Sequence, residues 1–245
     1  MTWSIVAHDP DTQAFAVAVT TCAFAVGASC PHVRAGVGAV STQSFTNRYL
    51  APAVLDALAR GLTPAAAIEG ALAGDDGKAL RQIHAVDRLG RSAVWTGQDC
   101  VEWAGSRSGP GFSVAGNMLA GPAVVGETAA TYASGSALTL PERLMLALDA
   151  GEAAGGDRRG RQSAAMKLAT TEDFPDLDLR VDDHPQPLME LRRLLDIWRQ
   201  TRAPALPFAP RKADPAGIID KAIIEAGWRA RGLDLRFPQR PAPQG

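Results

Sequence analysis

A threonine follows the initiator methionine of this chain. Threonine is small enough that a preceding methionine is ordinarily trimmed, which is the expectation for Met1. The mature chain would then begin with a hydroxyl and a free α-amine on one residue. A hydroxyl is a poor nucleophile unless a base sits beside it. An α-amine, with an ordinary pKa of about 7.7–8.0, is partly unprotonated near neutrality and supplies that base by covalent construction. Thr2 so placed would attack an amide carbonyl, hold the acyl group as an ester and release it to water. The plainer alternative is that Thr2 opens a strand and has no further role. Ser4, two residues on, shares a strand face with Thr2 and is either a proton relay or an ordinary polar position.

Asn117 is the candidate oxyanion donor, because Gly116 before it lets backbone approach a ligand closely. A turn or capping role competes with that reading. Asp157, Arg158, Arg159 and Arg161 crowd around Gly160, just before Ser163. Arginines on such a loop can clamp a carboxylate or phosphate bidentately, with Arg158, Arg161, Asp157 and Ser163, joined by Arg34, as the substrate-binding set. They can equally form ion pairs with Asp182 and Asp183. His184 lacks the GxSxG elbow that a serine hydrolase would show, and Gly105–Gly111 is neither a P-loop nor a dinucleotide fingerprint. His8, His32 and His84 have no ligand spacing, and Cys22, Cys30 and Cys100 form no CxxC pair, so neither metal nor cofactor is expected.

These residues must be positioned by an ordered set of elements. Residues 3–8 and 14–21 read as a strand pair around the turn Asp9-Pro10-Asp11-Thr12, and residues 32–44 as one further strand. Leu50, Val54 and Leu58 form a helix stripe ended by Gly61, and Thr63-Pro64 starts a second helix bearing Ile68 and Leu72. Strands return at 82–87 and 92–96. A glycine-rich hairpin connection follows from Gly105 to Gly121. Helices are predicted over 122–132 and from Thr139, whose Thr-Leu-Pro-Glu matches a capping box. Residues 162–169 and 177–181 read as strands, and Leu188, Leu191, Leu195 and Trp198 mark another helix. Beyond Arg202 lie seven of the 17 prolines. An amphipathic helix over 215–231 is predicted inside that stretch, docked on its own core or on a second copy.

Composition narrows the function. A net charge of -1 gives no global attraction to nucleic acid or an anionic membrane. No run is long and apolar enough to span a bilayer, and the first residues do not read as a signal peptide. Three unpatterned cysteines fit a reducing, cytoplasmic setting. Lysine occurs only at positions 78, 167, 212 and 221, so few lysines are available for catalysis.

Several segments carry a family resemblance: Thr2-Trp3-Ser4-Ile5-Val6-Ala7, Phe24-Ala25-Val26-Gly27-Ala28 and the run from Arg34 to Val40. Gly116-Asn117 with Leu119-Ala120-Gly121 adds to them, as do the Gly155–Ala165 run Gly-Gly-Asp-Arg-Arg-Gly-Arg-Gln-Ser-Ala-Ala and Asp178–Pro185. Together they resemble the bacterial proteins grouped as domain of unknown function 1028, from Thr2 to about Leu195. The resemblance implies an α+β, four-layer αββα sandwich of the N-terminal-nucleophile hydrolase kind over residues 1–201. Residues 202–245 are left as a linker and docking helix. The resemblance implies no reaction by itself. With a hydroxyl residue at position 2, the leading expectation is an amidohydrolase acting on a small amide or peptide-like substrate, with Thr2, Ser4 and Asn117 as the catalytic set, and the amphipathic helix suggests a homodimer. Proteasome-like relatives also place a lysine and an acidic residue near the nucleophile. Here no lysine precedes Lys78, the second strand ends in Thr20-Thr21-Cys22, and Arg34 is the nearest early cation. A non-catalytic binding or assembly protein that keeps the sandwich is therefore the alternative.

Overall fold

The computed structural model describes residues 2–233. The chain divides into two compact units, residues 1–194 and 195–245. The first holds two antiparallel sheets. Strands β1 (Thr2–Asp9) and β2 (Ala14–Thr21) form a hairpin closed by Asp9, whose carboxylate accepts the Asp11 N–H at 3.1 Å and the Thr12 hydroxyl at 2.6 Å. The predicted strand over 32–44 is instead a second hairpin, β3 (Pro31–Arg34) and β4 (Gly38–Ser44). Its turn depends on Gly36 at φ 68°, a left-handed conformation that glycine adopts without steric cost.

Helices α1 (Leu50–Ala59) and α2 (Pro64–Leu72) follow, the second capped by the Thr63 hydroxyl accepting from the Ala66 N–H. Strands β5 (Arg81–Asp87) and β6 (Ser92–Thr96) complete a sheet of order β3-β4-β5-β6. The glycine-rich stretch folds as the hairpin β7 (Gly105–Gly109) and β8 (Phe112–Asn117). Then come α3 (Pro122–Ser134) and α4 (Leu140–Ala153). The expected capping box is present at the start of α4, where Glu142 accepts from the Thr139 N–H and hydroxyl. Strands β9 (Ser163–Ala169) and β10 (Leu177–Val181) join the larger sheet, whose order is β10-β9-β2-β1-β8-β7.

The two sheets face each other, with α1 and α2 on the outer face of the smaller and α3 and α4 on the outer face of the larger. Leu50, Val54, Leu58, Ile68 and Leu72 pack on Val40 and Ile83 of the smaller sheet. Val6, Phe15 and Val17 meet Ala39 and Val86 between the sheets. Each such aliphatic side chain contributes about 1.5–3 kcal/mol by leaving water.

Helix α5 (Pro187–Thr201) crosses from the first unit into the second, which also holds α6 (Lys221–Ala230). The latter is shorter than the predicted 215–231. Asp220 caps it by accepting the Ala222 N–H at 2.8 Å, while Gly217, at φ 60°, lies outside the helix.

Candidate functional site

Register aligns the first residue of β1 with polar partners on both sides. Thr2 lies opposite Asn117 of β8, and Thr21 of β2 lies opposite Ser163 of β9. The Thr2 hydroxyl reaches Thr21 Oγ1 at 3.3 Å. Since directly opposed residues share a face, Asn117, Thr2, Thr21 and Ser163 form one polar row across four strands. All four are buried, Thr2 at 4% exposure.

The row ends on a carboxylate. Asp157, on the loop after α4, bridges in antiparallel fashion to Leu119 and so comes beneath the end of β2. Its Oδ2 accepts the Thr21 hydroxyl at 3.4 Å and the Cys22 N–H at 2.9 Å. Arg159 closes around the same group, donating from its backbone N–H and Nε to Oδ1 at 3.0 Å each and from Nη2 to Oδ2 at 2.7 Å. Burial by itself would raise the Asp157 pKa. The Arg159 guanidinium and the two backbone N–H groups outweigh burial and hold it below the ordinary carboxylate value. Asp157 is therefore an anion at neutral pH. A segment 135 residues away thus places a carboxylate at the end of β2.

A second polar set lies between the sheets. Gln82 donates to Gly116 O at 2.9 Å and Thr96 Oγ1 at 3.0 Å, and Gln43 donates to Ala115 O at 3.0 Å and Gln82 Oε1 at 2.8 Å. Asn117 Nδ2 donates to Gln82 Oε1 at 2.9 Å and, longer, to Thr2 O at 3.5 Å. Ser4 Oγ donates to Gln43 Oε1 at 2.7 Å and lies 2.8 Å from His84 Nε2, while His84 Nδ1 lies 2.8 Å from Ser113 Oγ. A neutral His84 carries one N–H and one ring lone pair, so it donates to one of these two hydroxyls and accepts from the other. Complete burial lowers the His84 pKa to about 3, so the ring is neutral.

Three of the four non-glycine residues with positive φ among the described residues flank this end of the sandwich: Ala25 (55°), Ser44 (73°) and Met118 (53°). Met118, immediately after Asn117, is held on both sides: its N–H donates to Val101 O at 2.8 Å and its carbonyl accepts from the Arg158 N–H at 3.2 Å. Left-handed backbone at a non-glycine residue costs on the order of 1–3 kcal/mol and persists where surrounding contacts over-determine it.

The structure thus brings together Thr2, Ser4, Asn117, Asp157 and Ser163 from the sequence-derived set. Ser163 uses its hydroxyl locally, donating to Ala23 O and accepting the Val26 N–H, which pins the loop after β2. Asn117 gives one amide N–H to Gln82 Oε1 and directs the other toward Thr2 O at 3.5 Å. Arg34 is elsewhere, paired with Asp56 at 2.9 Å beside the β3–β4 turn. Arg161 pairs with Glu152, and Arg158 is exposed. The anticipated partners Asp182 and Asp183 are instead engaged by Arg180 and Gln162. Arg159, Thr21, Gln43, Gln82 and His84 are the residues that sequence reasoning passed over as site members. A signal existed in β4 and β5, where Ser41, Gln43, Gln82 and His84 recur at alternate positions of otherwise apolar strands. Among the described residues, no helix is long and apolar enough to cross a membrane.

Comparison with known proteins agrees with the architecture. No curated protein matches the chain. Among solved structures, a protein from Silicibacter pomeroyi assigned to family DUF1028 superposes with a TM-score of 0.83 at 32% identity, over 90% of this chain and 96% of that one. The sequence model of the same family, described as a family of unknown function, matches residues 2–191. Those residues contain both sheets and the whole of the polar row, and the chain belongs to the DUF1028 family.

Proposed function

We propose that this protein is an N-terminal-nucleophile amidohydrolase that cleaves a small amide or peptide-like substrate, with Thr2 as nucleophile. The observation that carries the reading is the hydroxyl chain from Thr2 through Thr21 to the arginine-held Asp157 carboxylate, placed at the first residue of a central strand. Thr21 donates to Asp157, so its lone pair faces the Thr2 hydroxyl and orients it. With Met1, which lies outside the described residues, removed, the Thr2 α-amine takes the Oγ1 proton as Oγ1 adds to the substrate carbonyl. The protonated amine then returns that proton to the departing nitrogen, leaving an ester on Thr2. Water, deprotonated by the same amine, hydrolyses the ester and restores the hydroxyl. Asp157 remains ionised throughout and favours the transient ammonium electrostatically. The exposed Arg158 suits an acidic group on the substrate.

The test compares tag-free wild type, with its N-terminus defined by intact mass, and Thr2→Ala on a panel of small amides. Turnover lost in the variant, with an unchanged circular dichroism spectrum, is the expected result. Equal turnover by both would refute the assignment. A second reading, a non-catalytic binding protein, is favoured by two observations: Thr2 is only 4% exposed, and no lysine is joined to it among the described residues. Retention of Met1 in the purified protein, together with no turnover on any amide, would decide for that reading.

A further inference from the structure

The amide chain between the sheets determines which way Asn117 faces. Backbone carbonyls accept hydrogen bonds and never donate them, so Gly116 O and Ala115 O require the NH2 ends of Gln82 and Gln43. The Gln82 oxygen is then left to accept from Gln43 Nε2 and from Asn117 Nδ2. Turning the Asn117 amide over would set two carbonyl oxygens 2.9 Å apart, so its orientation is settled. The consequence is an acceptor without a donor. Among the described residues, Asn117 Oδ1 is fully buried and has no hydrogen-bond partner, an arrangement that folded proteins rarely leave without a reason.

The position of that acceptor identifies the missing donor. Asn117 is directly opposite Thr2 in the β1–β8 register, and its Nδ2 already touches the Thr2 carbonyl. The main-chain nitrogen of Thr2 belongs to the same residue. As part of a peptide bond it carries one N–H, and as a free amine it carries two or three. Strained Met118, anchored at both its N–H and its carbonyl, fixes the chain immediately after Asn117 and so limits where the amide can go.

We infer that Asn117 is a positioning residue whose Oδ1 accepts a hydrogen bond from the free α-amino group of Thr2. This rests on the proposed function, since the amine exists only once Met1 is gone. The bond would fix rotation about the Thr2 N–Cα axis and turn the amine lone pair toward Oγ1, the atom it must deprotonate. It would also favour the ammonium form.

The test reads the amine directly. The full chain is released from a cleavable leader so that it begins at Thr2, is labelled with 13C-threonine, and the Thr2 13Cα shift is followed against pH. In Asn117→Ala the midpoint should fall by about one pH unit relative to wild type, the size expected for losing a hydrogen bond to a charged group. In Asn117→Asp, where a carboxylate replaces the amide, it should rise above wild type. Equal midpoints in wild type and in either folded variant would overturn the inference, and Asn117→Asp serves if Asn117→Ala does not fold. Turnover plays no part in this readout. Shifted midpoints in a protein that cleaves no amide would keep the positioning role and sink the hydrolase, whereas unshifted midpoints with a Thr2-dependent activity would do the reverse.

Discussion

Asp157→Asn keeps the size of the side chain while removing its charge, and it probes the group at the end of the polar row. In the folded protein Asp157 accepts bonds from Thr21, Cys22 and Arg159, and its side chain is completely buried. The amide keeps one acceptor oxygen and turns its NH2 toward groups that themselves donate. Breaking a fully buried ion pair costs about 3–5 kcal/mol. Arg159 retains 31% side-chain exposure, so water rehydrates part of its charge and the expected loss is reduced to about 2–3 kcal/mol. With a urea dependence of about 2–3 kcal/mol per molar, the unfolding midpoint should drop by about 1 M with the slope unchanged. The double variant with Arg159→Gln should lose little more than the single, because both substitutions remove one unit. A midpoint for Asp157→Asn within about 0.2 M of wild type would refute the reasoning. The pH dependence has a fixed sign. The folded carboxyl is held below its ordinary value, so its stabilisation is complete above about 3.9 and is lost as pH falls through the folded value.

His84 sets a second acid-sensitive window: its folded pKa of about 3 lies below the unfolded 6.5, so stability should decline between those values as pH falls, by up to about 1.4 kcal/mol per unit. Urea midpoints at pH 7, 5.5 and 4.5 should show that decline in wild type and a flatter profile in His84→Leu; equal slopes would count against a neutral, buried ring. Gly151→Ala in α4 should destabilise by about 1–3 kcal/mol despite the better helix propensity of alanine, because the new Cβ would lie 2.2 Å from Thr128 Oγ1 and 2.8 Å from Trp3 Nε1. Thermal unfolding tests this, and a stabilised variant would contradict the packing. Deleting residues 203–245 should halve the mass seen by light scattering if α6, with Ile219 and Ile223 exposed beside and upon it, joins two copies, and an unchanged mass would exclude that role.

Much of the frame was legible because local signals and burial agree. Ala14–Thr21 is β-rich and buried throughout, Thr63-Pro64 and Thr139-Leu-Pro-Glu142 start helices as their chemistry requires, and alternation marked Leu177–Val181. The hairpin at Gly36 was missed because two short strands and a three-residue turn read as one β-rich run. In the candidate site, Thr2, Asn117 and Asp157 could be picked out from sequence, but how they connect could not. Asp157 reaches Cys22 across 135 residues, a pairing set by an isolated bridge to Leu119 that leaves no periodicity in the sequence. Gln43, Gln82 and His84 depend on one sheet facing another, which no single strand encodes.

The polar residues between the sheets have a mechanical consequence. Aliphatic side chains such as Val6 and Val86 are nearly indifferent to which neighbour they meet, so an apolar sandwich resists sliding weakly. A displacement by one residue along a strand is only about 3.3 Å. That same step would take His84 away from both of its hydroxyls and Gln43 away from Ala115, leaving several buried groups without partners at once. The seam therefore acts as a detent. It gives the two sheets one seating, and the ends of β1, β8 and β4 keep their alignment to within a fraction of a residue step.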